Sequence, residues 1–526
     1  MKRRRLIVVL LALAAIASLA WVFRQGQPVP LAEEEVRRIA CLSYAAFRLP
    51  GETPLDPSQS VTEARLEADL RFLSSHTHCV RSYSVSQGMG ALPKVAQRLG
   101  MTVMLGIWIG RDGKLNEKEI ALAIETARAY PDTVTAVIVG NEVLLRGEQP
   151  AEALVAYISR VRAAVPQPVT YADVWEFWLR NEQLADAASF VTVHILPFWE
   201  DNPVPVDHAV EHVLSIYDKV QARFPKHKVL IGETGWPTVG RDREGAIPSR
   251  VNAARFVRGV VSAAEARNIG YNIVEAFDQP WKRQLEGAVG GYWGIFASDG
   301  SAKFPLHGPV VEEPRWAFGL AAAGLLSTLF AASALVSRQR PGWFGVAGLI
   351  GGGASAGVAL AVQARTVSLT ARTPFEWSVG IAFAAFSLLA AFMLARALAR
   401  WADGGRVRAV PAIADFLGSH SCLLALSRLV LLFGTAATNL LLVFDSRYRD
   451  FPTEWLIVPA TGFGLVALFG DSAPGEEHEE RLLALVIAAT LPLIVALEGL
   501  HNIHALVWAG VGAVFAASVL LPRKAH

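Results

Sequence analysis

Apolar positions follow two different patterns along the chain. Between residues 30 and 310, short apolar runs alternate with amphipathic stretches, and charged residues occur throughout. From residue 316 to residue 522, Ala, Leu, Gly and Val dominate in long apolar blocks. The first pattern is typical of a parallel sheet built from βα units, and the second is typical of membrane helices. The chain is therefore predicted to have two structurally different parts, with a boundary near residue 315.

Eight apolar runs in the first part predict β-strands. They are residues 40–44, 78–84, 102–109, 135–141, 168–173, 190–196, 228–233 and 271–277. Amphipathic stretches between them, such as 61–74 and 249–268, predict helices. Eight βα units over about 275 residues agree with a (β/α)₈ TIM barrel, which typically has about 250 residues. Barrel strands are buried on both faces, so continuous apolar runs are expected for them.

The alternative for such a pattern is an open, doubly wound sheet. That fold favours a glycine-rich phosphate loop after its first strand. Residues 45–54 read AAFRLPGETP, which is not such a loop, and the sequence contains no P-loop. The barrel is therefore favoured, and nucleotide chemistry is not indicated.

The N-terminus combines basic and apolar residues. Lys2, Arg3, Arg4 and Arg5 precede an apolar run of about 18 residues, which is typical of either a cleaved signal peptide or a membrane anchor. The length of the run favours an uncleaved anchor. Seven further apolar stretches are long enough, or nearly so, to cross a hydrocarbon core of about 30 Å. They lie near residues 317–337, 343–363, 378–395, 421–444, 455–470, 481–498 and 503–521.

The distribution of basic residues predicts the orientation of these segments. If the N-terminus is cytoplasmic and all eight segments span, most loop arginines lie on the cytoplasmic side, as the positive-inside rule requires. The cytoplasmic set is Arg338, Arg340, Arg396, Arg400, Arg406, Arg408, Arg523 and Lys524, and the opposite set is Arg365, Arg372, Arg447 and Arg449. This orientation places residues 30–315 outside the cytoplasm, which in a Gram-negative cell means the periplasm. The expected localisation is therefore the bacterial inner membrane, with a multi-pass chain whose barrel faces the periplasm.

The predicted organisation thus has three segments. Residues 1–29 form an anchor or signal segment, residues 30–312 form a periplasmic TIM barrel, and residues 313–526 form an all-α transmembrane domain of about seven spans. The fold class is α/β for the barrel, followed by an all-α multi-spanning domain.

Charge and cysteine content exclude several kinds of function. The net charge is +2, and no basic stripe with interleaved aromatic residues indicates nucleic-acid binding. No Cys/His spacing is typical of a zinc site, and neither a metal nor an organic cofactor is implied. Cys41 and Cys79 fall on the first two predicted strands, which could bring them together, although two buried thiols are the favoured interpretation.

Two glutamates carry the candidate chemistry. Glu142 closes the fourth predicted strand and Glu233 closes the seventh. Catalytic residues of a TIM barrel lie at the C-terminal ends of its strands, and strands four and seven face each other across the barrel. A pair of carboxyl groups so placed is what a glycosidase needs, with about 5–5.5 Å between them for retention and about 6.5–9.5 Å for inversion of configuration.

Four segments resemble one known family. VLIGETGWPTVG (229–240), VGNE (139–142), CVRSYSVSQG (79–88) and YNIVEAFDQPWKR (271–283) are similar to glycoside hydrolase family 17, the β-1,3-glucanase family. Over residues 38–305 the chain resembles the bacterial, membrane-attached branch that includes proteins called β-1,6-glucan synthases. The resemblance implies that Glu142 is the acid/base, that Glu233 is the nucleophile, and that Asn141 binds the sugar 2-hydroxyl.

Other polar and aromatic residues near the predicted strand ends are candidate substrate contacts. For each of them the alternative is a purely structural role within the barrel. The family's Asn-x-Tyr-Pro type of motif on the sixth strand is replaced here by VHILPFWED (193–201), which leaves the linkage specificity open. The candidates are Arg81, Tyr83, His194, Trp199, Trp236, Glu275, Asp278, Trp281 and Lys282.

The predicted function is a retaining, membrane-tethered enzyme that acts on β-1,3-glucan through a glucosyl ester. Water as acceptor gives hydrolysis, whereas a sugar hydroxyl gives transfer and can create a branch or a ring; transfer is favoured. The expected partners are a β-glucan oligosaccharide or polysaccharide, membrane lipid, and a glucan synthase or export complex. Two alternatives stay open, namely a plain β-1,3-glucan hydrolase and an export or scaffold component whose barrel binds glycan without turnover.

Overall fold

The computed structural model of the chain describes residues 2–32, 36, 38–336, 340–407, 410, 422–445, 448–470 and 478–521. These residues fall into two compact units. Val29–Val310 is the barrel unit, and Met1–Pro28 with Val311–His526 is the helical unit.

Eight parallel strands form the closed barrel of the first unit. They are β1 Leu42–Ser43, β2 Cys79–Arg81, β3 Thr102–Ile107, β4 Val134–Asn141, β5 Val169–Val174, β6 Val191–His194, β7 Val229–Thr234 and β8 Gly270–Ile273. Each pairs with the next, and β8 closes on β1 through Leu42 and Ile273. The predicted TIM-like barrel is confirmed, and each predicted run overlaps one strand. Two-residue strands, Pro28–Val29 and Val310–Val311, lie outside the barrel.

Helices follow the strands and cover the barrel with their apolar faces. Their bounds are Glu63–Leu73, Leu92–Arg98, Gly113–Ala129, Ala151–Ala164, Trp175–Arg180, Gln183–Ala187, Val206–Arg223, Arg250–Ala266 and Arg283–Gly290, with 3₁₀ turns at Met89–Ala91 and Pro280–Lys282. The side chains of Thr62, Asp112 and Ser249 accept hydrogen bonds from the first turns of their helices, as N-caps do.

Cys41 and Cys79 form a disulfide. The interpretation as two buried thiols was therefore wrong. The cause is the parallel register, which pairs Leu42 with Val80 and so places the residue before each partner side by side. The Cα atoms of the two cysteines are 4.5 Å apart, within the range that a disulfide requires.

The helical unit contains one helix for each predicted apolar segment. The bounds are Lys2–Gln25, Trp316–Ala332, Trp343–Thr370, Pro374–Ala402, Cys422–Phe444, Ile457–Phe469, His478–Glu498 and Ile503–Leu520, with a 3₁₀ turn at Thr453–Trp455. Within the part of the chain that the structure describes, six helices are long and apolar enough to cross a membrane, whereas Trp316–Ala332 and Ile457–Phe469 are shorter. Several basic residues behind the predicted orientation lie outside the described residues, namely Arg338, Arg408, Arg447, Arg523 and Lys524.

Polar side chains in the helical unit are buried and paired with one another. Arg428 donates to both carboxylate oxygens of Glu480, at 2.9 and 2.5 Å. Asn439 donates to Thr490 and accepts from the indole nitrogen of Trp508. Such pairing is expected of polar groups in apolar helices, since an unpaired group costs several kcal/mol in lipid.

Candidate active site

Glu142 and Glu233 lie at the ends of strands that face each other. Glu233 belongs to β7, and Glu142 is the first residue after β4. The chain turns sharply at Glu142, where φ is +53°, after Gly140 with φ +89°. A Cβ at Gly140 would lie 2.8 Å from the Val143 side chain, so this turn favours glycine there. The Glu142 amide donates to Ala172 O on β5, which holds the turn against the barrel.

His194 connects the two glutamates. Its Nδ1 lies 2.8 Å from Glu142 Oε1, and its Nε2 lies 3.7 Å from Glu233 Oε1. The register pairs His194 at the end of β6 with Glu233 on β7, which explains why the ring reaches both carboxylates. One ligand atom from each of the three residues lies within 4.8 Å of the others. The two carboxylates are thus close neighbours across the barrel mouth.

Glu233 is held by donors on one oxygen. Arg81 Nη1 donates to Glu233 Oε1 at 2.6 Å, and the Tyr83 hydroxyl donates to the same oxygen at 2.8 Å. None of the hydrogen bonds among the described residues engages Oε2. Burial by itself raises the pKa of Glu233, but His194, Arg81 and the Tyr83 hydroxyl outweigh burial and lower this pKa below its usual value. Glu233 is therefore an ionised carboxylate with one oxygen left for chemistry.

Arg81 also organises the neighbouring groups. Its guanidinium donates to Gly232 O at 2.9 Å and to Asn141 Oδ1, and it lies 4.8 Å from the Tyr83 ring centroid. Because Arg81 occupies Asn141 Oδ1, the amide nitrogen of Asn141 is the group that this side chain can offer to a ligand. Burial, followed by the charge of Glu233, raises the pKa of Tyr83, so its hydroxyl stays protonated as a donor.

Glu275 and Lys282 form a second charged pair. Lys282 Nζ donates to both oxygens of the buried Glu275 carboxylate at 2.9 Å. Burial raises the pKa of Glu275 to about 7 although Lys282 opposes the shift. The Lys282 side chain is 18% exposed, and its charge contributes to the low pKa of Glu233. Lys282 is thus electrostatically coupled to Glu233.

Asp278 and Trp236 are engaged elsewhere. Lys303 Nζ lies 2.5 Å from Asp278 Oδ1, and the Gly294 amide donates to the same oxygen, so this carboxylate is part of a buried structural ion pair. The Trp236 side chain packs against Phe198 and is only 1% exposed, so it presents no ring face to a sugar. Both side chains thus have structural partners, and substrate contact by either residue stays a prediction.

The remaining aromatic candidates are partly accessible. Trp199 stacks on Trp293 with a centroid distance of 6.2 Å and an interplanar angle of 17°. Trp281 follows β8 in the 3₁₀ turn, and its indole nitrogen donates to Gln279. Both are partly buried, so each still offers some surface to a ligand.

Two residues near the site were not among the sequence candidates. Asp173, on β5, accepts from the Leu144 amide at 3.2 Å and from the Tyr171 hydroxyl, and so holds the loop after Glu142. Burial, aided by the charge of Glu142, raises the pKa of Asp173 to about 6. Trp108 follows β3 and is 42% exposed. Both residues lie at the end of a predicted strand, as Glu142 does, and this position was the signal in the sequence that could have identified them.

The donor types of Glu142, His194 and Glu233 also match those of a divalent metal site. However, the Arg81 guanidinium already lies 2.6 Å from Glu233 Oε1. A second cation at that oxygen would be repelled by the first, so the charge distribution disfavours a metal between the glutamates.

Comparisons with known proteins agree on the barrel unit. A family profile described as the BtgE/BtgC glycoside hydrolase domain matches residues 51–294. A glucan 1,3-beta-glucosidase of Arthroderma benhamiae is 30% identical over 267 residues, which cover 47% of this chain and 85% of that protein. A glucan 1,3-beta-glucosidase of Candida albicans is 27% identical over 295 residues, 51% of this chain and 94% of that protein.

A solved structure is similar over the same share of the chain. The glycoside hydrolase family 17 beta-1,3-glucanosyltransferase of Rhizomucor miehei is 28% identical and covers 52% of this chain and 98% of its own, with a TM-score of 0.45. These matches extend over about half of this chain and most of each relative.

Proposed function

This chain belongs to the BtgE/BtgC glycoside hydrolase family, and on that premise we propose that it is a retaining enzyme of β-1,3-linked glucan that works through a glucosyl ester on Glu233. The substrate class is supported by the relatives, which are named glucan 1,3-beta-glucosidases. The reaction class is supported by the geometry of the two glutamates.

The observation that carries the proposal is the separation of the carboxylates. Oxygen atoms of Glu142 and Glu233 lie within 4.8 Å of each other. Retaining glycosidases have about 5–5.5 Å between their carboxyl groups, whereas inverting enzymes need about 6.5–9.5 Å to admit a water molecule. The short separation supports direct attack by one carboxylate on the sugar.

The surroundings of the two groups support different roles for them. Glu233 is ionised, its Oε1 is fixed by Arg81 and Tyr83, and its Oε2 can approach the anomeric carbon. The Glu142 side chain is 22% exposed, against 9% for Glu233, so a leaving group and an incoming acceptor can both reach it. Glu233 is therefore the nucleophile and Glu142 the acid/base.

The reaction then has two balanced steps. Glu233 Oε2 forms a bond to the anomeric carbon while the glycosidic C–O bond breaks, and the proton of Glu142 passes to the leaving oxygen. In the second step Glu142, now a carboxylate, removes the proton of an acceptor hydroxyl, whose oxygen displaces Glu233. Two displacements at one carbon restore the original configuration. Asn141 Nδ2 is placed to donate to the sugar 2-hydroxyl, a contact that strengthens in the transition state.

We place the barrel unit in the periplasm and the helical unit in the bacterial inner membrane, in contact with lipid. Support comes from the Cys41–Cys79 disulfide, since disulfides persist in oxidising compartments. Helices of membrane-spanning length add to it, six of them among the described residues.

Glucan remodelling is the activity that this setting favours. An enzyme fixed to the membrane cannot diffuse away to digest nutrients, but it can act on a polymer as the polymer is exported. We therefore propose that transfer to a second glucan, which creates a branch or a ring, is the main outcome and that a glucan synthase or export complex is the partner.

The test incubates the purified full-length protein with β-1,3-gluco-oligosaccharides and follows product length by mass spectrometry and anomeric configuration by NMR. Glu233→Gln is the inactive variant, and Glu117→Gln, on an exposed helix, is the matched control. Products longer than the substrate support transfer, whereas only shorter products establish a hydrolase. Binding without any bond breakage would establish the scaffold alternative and contradict the proposal.

A further inference from the structure

Trp108 lies at the rim of the barrel with its ring in solvent. It directly follows β3, and its neighbours Ile107 and Ile109 are buried, whereas Trp108 is 42% exposed. The alternation is what a strand end imposes, because successive side chains point in opposite directions. A large aromatic ring is thus presented at the end of the barrel where TIM-barrel active sites lie.

A guanidinium lies over the Trp108 ring. The Arg146 guanidinium lies 4.3 Å from the Trp108 ring centroid. Arg146 is itself fixed, because it donates to Glu148 Oε2 at 2.9 and 2.7 Å, to Ile109 O at 3.0 Å, and to Asn141 O. A cation that makes these bonds has little freedom to move, so it orders the indole ring. Trp108 is 42% exposed, which leaves indole surface for a ligand.

Arg146 also connects Trp108 to the acid/base side of the site. The Arg146 amide donates to Glu142 O at 2.9 Å. The strand register pairs Ile107 with Val139, so Trp108 follows β3 beside the residues that lead to Glu142. Trp108 and Arg146 are therefore connected to the turn that carries Glu142, and not to the donors that hold Glu233.

We propose that Trp108, backed by Arg146, is the platform for the acceptor sugar and determines whether the glucosyl enzyme transfers or hydrolyses. The inference rests on the proposed function. Because Glu142 protonates the leaving oxygen and later activates the acceptor, a surface joined to Glu142 contacts the sugars on that side of the cleaved bond. The apolar C–H face of a pyranose covers the exposed indole surface, which buries apolar area and displaces the water that would otherwise attack.

The experiment separates the two steps of the reaction. β-Laminaribiosyl fluoride loads the enzyme with a donor whose leaving group carries no sugar, and laminaribiose is then titrated as the acceptor. The quantity measured on the full-length protein is the ratio of transfer product to hydrolysis product. This ratio is independent of the fraction of active enzyme, so a partly unfolded variant does not distort it.

Trp108→Ala is expected to raise, by about tenfold, the laminaribiose concentration at which transfer and hydrolysis are equal. A change of this size corresponds to losing the apolar area that the aromatic side chain buries against the sugar. Trp108→Phe keeps a ring and is expected to remain within about threefold of the wild type. Leu122→Ala, which truncates an exposed apolar side chain on the helix Gly113–Ala129, is the control.

Two results would overturn the inference. If the wild type releases fluoride but Trp108→Ala partitions as the wild type does, the acceptor platform is refuted and the proposed function stands. If the wild type neither releases fluoride nor cleaves β-1,3-gluco-oligosaccharides, the proposed function fails and the platform fails with it.

Discussion

His194 Nδ1 lies 2.8 Å from Glu142 Oε1, on the opposite side of the ring from Glu233. A side chain from β6 thus contacts the proposed acid/base, and its other ring nitrogen lies 3.7 Å from the proposed nucleophile. The imidazole is fully buried, and its Nε2 makes no hydrogen bond with the described residues. Among the described residues, the hydrogen bond of the His194 ring is therefore the one with Glu142, and its Nε2 faces Glu233.

Replacing His194 by Ala should lower kcat/KM by about 10- to 100-fold, the value of a hydrogen bond to a charged group. The pKa of Glu233 should also rise, because His194 is the largest of the influences that oppose burial. A protonated Glu233 cannot attack, so the acid limb of the kcat/KM–pH profile should move to higher pH. His208→Ala, at an exposed helical position, is the control. An unchanged acid limb would show that His194 has no electrostatic role.

Tyr83→Phe removes the hydroxyl that donates to Glu233 and keeps the aromatic ring, so it tests this one hydrogen bond. The hydroxyl stabilises the ionised carboxylate, so its loss should raise the pKa of Glu233 and move the acid limb upward by about one pH unit. Activity should fall most at acidic pH and least at neutral pH. Tyr157→Phe, on the helix Ala151–Ala164, should leave the profile in place. A uniform loss of activity at every pH would instead indicate a substrate contact.

The pattern of apolar runs was sufficient to predict the barrel, because strands buried on both faces leave a distinctive trace in a sequence. The motifs at residues 139–142 and 229–240 located both glutamates for a similar reason, since the C-terminal ends of all the barrel strands meet at one rim. Other relationships depend on register and packing depth. The disulfide requires Cys41 and Cys79 to be level on adjacent strands, and the burial of Trp236 depends on the residues packed over it. Neither condition is visible along the chain.

Asp278 provides a test of structural against substrate-binding roles. Asp278→Asn leaves the buried Lys303 ammonium without its charge partner, which should cost about 3 kcal/mol and lower the unfolding midpoint by roughly 6–12 °C. Asp278→Asn with Lys303→Met removes both charges and should recover most of the loss. The measurement is thermal unfolding at pH 8, where Asp278, whose pKa is about 6, is ionised. A single variant that is as stable as the wild type but binds substrate weakly would instead support a substrate-binding role for Asp278.

The disulfide should stabilise the barrel unit. It closes a loop with a sequence separation of 38 residues, for which chain entropy predicts about 4 kcal/mol. Dithiothreitol should therefore lower the unfolding midpoint of the wild type, and Cys41→Ala with Cys79→Ala should lower it equally without reductant. The double variant should not respond to dithiothreitol, which serves as the internal control. Equal responses of both proteins would mean that the bond does not form in solution.

The central claim is that a glucosyl ester forms on Glu233, and covalent trapping tests it most directly. A 2-deoxy-2-fluoro-β-laminaribiosyl fluoride slows the second step more than the first, so the intermediate should accumulate on the full-length protein. Peptide mapping by mass spectrometry is expected to find the sugar on the segment that contains Glu233 and to find none in Glu233→Gln. Label on Glu142, or inverted product from an enzyme that never becomes labelled, would contradict the account.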